Sequence, residues 1–102
     1  MLIYNITFAL DSRLEEEFTD WLKKEFIPAT TVDDGEYFTD PRLMRVCHEL
    51  EPGTRSLALH LCASAADDID RWYADHGSRL FAAMIDRWAD RVAWFPTTLE
   101  VI

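Results

Sequence analysis

The stretch Arg42 to Cys62 restricts the middle of the chain to one unit, because two strand-like runs flank the tetrapeptide Glu51-Pro52-Gly53-Thr54. Proline presets the second position of a tight turn and glycine suits the third, so the two runs are expected to pair as an antiparallel hairpin. With Glu51 facing Thr54 the register follows: Val46 lies opposite Leu59, Met44 opposite Leu61, Arg45 opposite His60 and Glu49 opposite Ser56. One face of this hairpin is apolar and the other polar.

Upstream, Leu2 to Leu10 alternates as a strand, with Tyr4, Ile6, Phe8 and Leu10 on one side and Ile3, Asn5, Thr7 and Ala9 on the other. Ser12-Arg13-Leu14-Glu15 has capping-box spacing and opens a helix expected over 13–26, whose stripe is Leu14, Phe18, Trp21, Leu22 and Phe26. Acids crowd its first turns and Lys23 and Lys24 fall late, which suits the helix dipole. Pro28 marks the helix end or a new first turn. Ala29 to Pro41 is irregular and longer than most connections, which fits a subunit contact or a pocket wall. After the hairpin, Ser64 and Asp67 form a second capping box, and Ile69, Trp72, Tyr73 and His76 continue as a helix that Gly77 interrupts. A further helical run over 79–90 carries Phe81, Met84, Ile85 and Trp88. Val92 to Ile102 reads as a strand in which Pro96 favours an edge or a bulge.

The order strand, helix, strand, strand, helix, strand is that of an α+β, ferredoxin-like domain with sheet order 4-1-3-2 and helices on one face only. One such domain accounts for all 102 residues. The covered face is expected to take Tyr4, Ile6, Phe8, Met44, Val46, Leu57, Leu59, Leu61, Phe95 and Leu99. The open face takes Asn5, Thr7, Arg45, Cys47, Glu49, Ala58, His60 and Trp94.

Nineteen acids against ten Lys and Arg give a formal net charge of −9, a field that disfavours nucleic acid and anionic membranes as partners. The N-terminus shows neither a basic leader nor a long apolar run, which places the protein in the cytoplasm. Cys47 and Cys62 are not opposite each other in the register above, and buried free thiols are expected. The three histidines, His48, His60 and His76, come from different elements without metal-site spacing, and the three glycines are isolated, so neither a metal nor a cofactor is expected.

Ile3-Tyr4-Asn5-Ile6-Thr7, Trp21-Leu22-Lys23, Ile27-Pro28, Arg42-Leu43-Met44-Arg45-Val46, and Arg91-Val92 running to Leu99-Glu100-Val101 resemble a family of short bacterial proteins of unknown function. That family is similar to the dimeric α+β barrel proteins, in which two ferredoxin-like subunits stack their open sheet faces around a cavity. The resemblance spans nearly the whole chain and implies a homodimer. The wider superfamily includes cofactor-independent monooxygenases, haem-degrading enzymes, isomerases and proteins with no known activity. A histidine that often precedes the family's Ile-Pro step is Phe26 here, which removes any mechanism resting on it; His76 fits the family pattern.

Asn5, Thr7, Arg45, Glu49, His60 and Trp94 together form the candidate ligand site on the open face, offering amide, hydroxyl, cation, carboxylate, imidazole and a stacking surface. Alternatively, Arg45 pairs with Glu49 or with an acid of a second subunit and the set is a polar interface. Three functions stay open: binding a small molecule between the sheets, cofactor-independent oxygenation or isomerisation there, and a purely structural interaction. No catalytic residue is singled out.

Overall fold

The structure, a computed structural model, describes residues 1–47 and 51–102. His48, Glu49 and Leu50 lie outside the described residues. Four strands, β1 (Leu2–Asp11), β2 (Thr39–Arg45), β3 (Thr54–Ala63) and β4 (Val92–Glu100), make one antiparallel sheet in the order β2-β3-β1-β4. This is the ferredoxin-like α+β arrangement, with its helices on one side. Tyr4, Ile6, Phe8 and Leu10 of β1 and Leu57, Leu59 and Leu61 of β3 are buried there. Phe8 meets Phe18 and Phe26 edge-on, and Trp21, Trp72, Phe81 and Trp88 extend the same aromatic core.

Each helix contains a π turn. The first runs through Glu15–Trp21, a π turn at Leu22–Phe26, and Ile27–Thr30; the second through Ala66–Trp72, a π turn at Tyr73–Gly77, and Ser78–Trp88. The interruption expected at Gly77 therefore takes the form of a wider turn whose backbone stays right-handed. Its cause is in the pattern: the buried residues Trp72 and Gly77 stand five apart, out of phase for an α-helix, and a π turn restores the phase. In the first helix the π turn ends where Pro28 begins a new helical turn, the position at which a missing N–H costs least.

Neither capping box forms. Asp11 Oδ1 accepts from the N–H of Arg13 at 2.8 Å, while the N–H of Ser12 goes to Gly53 O at 2.7 Å. Ala65, without a side-chain cap, precedes the second helix. The two cysteines are free as expected, but Cys47 is exposed and Cys62 half-buried.

The hairpin register differs from expectation. The turn at Glu51 does close, with Thr54 N–H donating to Glu51 O at 3.3 Å, but it lies on the β3 side of a longer connection. Arg42, not Arg45, stands opposite His60, Met44 opposite Ala58 and Arg45 opposite Leu57. An odd offset turns every β2 side chain to the other face. In β4, Val92, Trp94, Pro96 and Thr98 pair with the helix-side residues of β1, and Ala93, Phe95, Thr97 and Leu99 with its open-side residues. Met44, Val46, Phe95 and Leu99 thus belong to the open face, and Arg45 and Trp94 to the helix face.

Among the described residues, left-handed backbone falls in the connections, apart from Asp40 with φ 52° at the start of β2. Asp33, Asp34 and Gly35 are consecutive left-handed residues, and Ala89, after the second helix, has φ 50° and ψ −129°. The latter region is reserved for glycine. Ala89 is exposed, so Ala89→Gly removes strain without losing packing. After the greater unfolded-state freedom of glycine is set against it, a gain of about 1 kcal/mol is expected in thermal denaturation.

Candidate functional site: the open face of the sheet

Strand alternation places every second residue of β1 and its partners on the side without helices. Arg42, His60, Asn5 and Thr97 are successive cross-strand partners, forming a polar line across all four strands. One row along, Met44, Ala58, Thr7 and Phe95 form a second line; on the other side Thr39, Cys62, Ile3 and Leu99 form a third. Asn5 Nδ2 donates to Thr7 Oγ1 at 3.1 Å, which fixes the amide, and Asn5 Oδ1 is buried without a partner among the described residues. The apolar members are open to solvent: Phe95 is 60% exposed, Leu99 46%, Met44 39% and Val46 38%.

Of the expected site, Asn5, Thr7 and His60 are brought together on this face. Glu49 lies outside the described residues. Arg45 is on the helix face, where its Nε donates to Glu15 Oε1 while Arg55 Nε reaches Glu15 Oε2 at 3.2 Å. Trp94 stacks on Phe81 with centroids 5.5 Å apart. It lines a hollow of about 420 Å³ between the second helix and β4, together with Tyr4, Tyr73, Ile85 and Pro96. Arg42 and Thr97 were not expected here. The alternation of β2 gave no signal for Arg42, because Arg42, Met44 and Val46 contrast weakly with Leu43 and Arg45.

The hydrogen bond from Arg45, with help from Arg55, holds the Glu15 carboxyl below its ordinary pKa of 4.5. A depressed carboxyl stabilises the fold fully above the unfolded value, and the contribution disappears as pH falls through the folded one. Glu15→Gln is expected to cost on the order of 1 kcal/mol at neutral pH and to flatten the acid limb of stability below pH 4.5, checked by urea denaturation from pH 7 downward.

His76 sits apart from the open face. Its ring meets Tyr37 edge-on at 5.4 Å, Tyr37 Oη donates to Asp75 Oδ2 at 2.7 Å, and Arg71 reaches over the same ring to Glu36. The bond to Asp75 pushes the Tyr37 phenol up to about 12. This cluster fastens the connection before β2 onto the second helix. Among the described residues no group of three potential metal ligands converges, and no helix is long and apolar enough to cross a membrane.

Known structures share this architecture. A Deinococcus radiodurans protein provisionally named an antibiotic biosynthesis monooxygenase matches with a TM-score of 0.74 at 14% identity, over 100% of this chain and 93% of that one. An ethyl tert-butyl ether D (EthD) family protein from Bacillus halodurans matches at 0.69 and 12%, over 100% of both chains. HapK from Hahella chejuensis matches at 0.68 and 10%, over 100% and 93%. At such identities the likeness is one of fold. No curated protein matches the sequence. Matched along residues 1–102, the chain belongs to the family described as a domain of unknown function, DUF4286.

Proposed function

We propose that the protein is a homodimer that packs its open sheet faces together and holds a small molecule between them. The observation that carries this reading is the open face itself, where a polar line is bordered by exposed Met44, Phe95 and Leu99. A bare apolar sheet face of this kind is unusual on a monomer, and a twofold contact covers it with its own copy. The apolar rows supply the contact, and Arg42, His60, Asn5 and Thr97 supply the convergent polar groups a ligand needs for orientation. The resemblance to the dimeric α+β barrel proteins supports the same assembly. Sedimentation velocity and native mass spectrometry, on protein purified without added ligand, test it. A species of two 11.9 kDa chains carrying extra small mass is the expected result. A monomer at every concentration overturns the assembly, and a dimer with a flush, empty interface points to an interaction module.

A second reading, cofactor-independent oxygenation or isomerisation in that cavity, draws on the name carried by the Deinococcus protein and on the pairing of His60 with Arg42 across neighbouring strands. Those two residues and Asn5 would position and polarise the substrate. Oxygen uptake with simple hydroquinones, lost in His60→Ala and Arg42→Ala while the melting temperature is kept, supports oxygenation; no uptake above the buffer rate overturns the oxygenation half of this reading.

A further inference from the structure

We infer that the occupant of the cavity is an anion: a largely apolar molecule whose carboxylate, sulfonate or phenolate group is held by Arg42 beside His60. This rests on the face-to-face dimer proposed above. The first observation is a separation of charge. The chain has nineteen acids and ten Lys and Arg, yet no described position of the open face from Ile3 to Ala9, or among their cross-strand partners, is acidic. The acids these strands carry stand at the margins. Asp11 ends β1 and is tied to Arg13, Asp40 sits in the irregular start of β2, and Glu100 is the last residue of β4.

The second observation concerns arginine partners. Arg13, Arg45, Arg55, Arg71 and Arg87 each meet a carboxylate, whereas Arg42, Arg79 and Arg91 have no acidic partner among the described residues, and of these three only Arg42 stands on the open face. A planar guanidinium with free donors suits an oxyanion better than any other ligand group.

The third argument is symmetry. Closing two sheets face to face, as proposed, brings a second Arg42 and a second His60 into the same enclosure, out of bulk water and without a compensating carboxylate from the described positions between Ile3 and Ala9 or their partners. Like charges repel more strongly there, and an anion between them relieves the repulsion. Met44, Phe95 and Leu99, bordering the polar line, receive the apolar body.

Two dyes with one aromatic skeleton separate the charge from the cavity: anilinonaphthalene sulfonate, an anion, and the neutral N-phenylnaphthylamine. Fluorescence titration of both, with sedimentation velocity on the same samples, is run on the wild type and Arg42→Met. A charged hydrogen bond sets the expected preference of the wild-type dimer for the sulfonate at about tenfold or more. Arg42→Met should abolish the preference, keep affinity for the neutral dye, and stay dimeric. Equal binding of both dyes by the wild-type dimer, or a preference that survives Arg42→Met, overturns the anion assignment and leaves the cavity standing. A monomer, or a dimer that binds neither dye, overturns this inference together with the reading beneath it.

Discussion

Gly77→Ala should destabilise the protein by about 2 kcal/mol, the opposite sign to what helix propensity alone gives. Gly77 has ordinary helical angles, so alanine at an unhindered site there would gain up to about 1 kcal/mol. The site is not unhindered. A Cβ would stand 2.6 Å from Trp72 Cζ3, 2.9 Å from Cε3 and 3.0 Å from Cη2. The indole has nowhere to go: it is fully buried, donates from Nε1 to Ala29 O at 2.9 Å, and is boxed by the rings of Phe26, Phe38 and Phe81. Overpacking of a rigid core costs about 1–3 kcal/mol beyond that lost gain, and a melting temperature lower by about 10 °C is the readout. In a Trp72→Leu background the alanine should cost little, because the obstructing ring is gone. A Gly77→Ala protein as stable as the wild type would show that the indole yields.

Phe95→Lys should turn the proposed dimer into a monomer while leaving the fold intact. Phe95 is 60% exposed and its partner in β1 is Thr7, so the isolated chain gives up little buried area. In a twofold interface the substitution occurs twice. At about 2 kcal/mol for each aromatic anchor lost, the loss in association is about a thousandfold, before the repulsion of two lysines is counted. Sedimentation equilibrium measures it, and unchanged far-UV circular dichroism shows that the subunit survives. If Phe95→Lys associates as tightly as the wild type, the open face is not the interface.

The topology was legible because β1 and β3 bury one complete face, so Tyr4, Ile6 and Phe8 against Leu57, Leu59 and Leu61 leave a single consistent alternation. The edge strands did not offer that contrast. In β4, Trp94 and Pro96 on one side and Phe95 and Leu99 on the other are all apolar, and in β2 an arginine lies on each face. Where both faces want apolar residues, a period of two cannot say which is which, and the register of the turn must decide. The turn was read correctly as a turn and wrongly as the hairpin apex. That error put Arg45 in place of Arg42 on the open face, while Asn5, Thr7 and His60, on the two central strands, were assigned to the face they occupy. The first capping box failed for a different reason: tertiary partners, Gly53 for Ser12 and the two arginines for Glu15, outcompeted the local ones.

If the chain dimerises and binds an anion as proposed, an open face without acid at its described central positions, on a chain of net charge −9, sets assembly and ligand capture against each other along the axis of ionic strength. Two such chains repel as they approach, over a range that shrinks from about 10 Å in 0.1 M salt to about 3 Å in 1 M. Added salt should therefore tighten the dimer. The same salt screens Arg42 and supplies chloride to compete for it, so an anionic occupant should bind more weakly. The protein would then hold its ligand best under the conditions in which its subunits hold each other least.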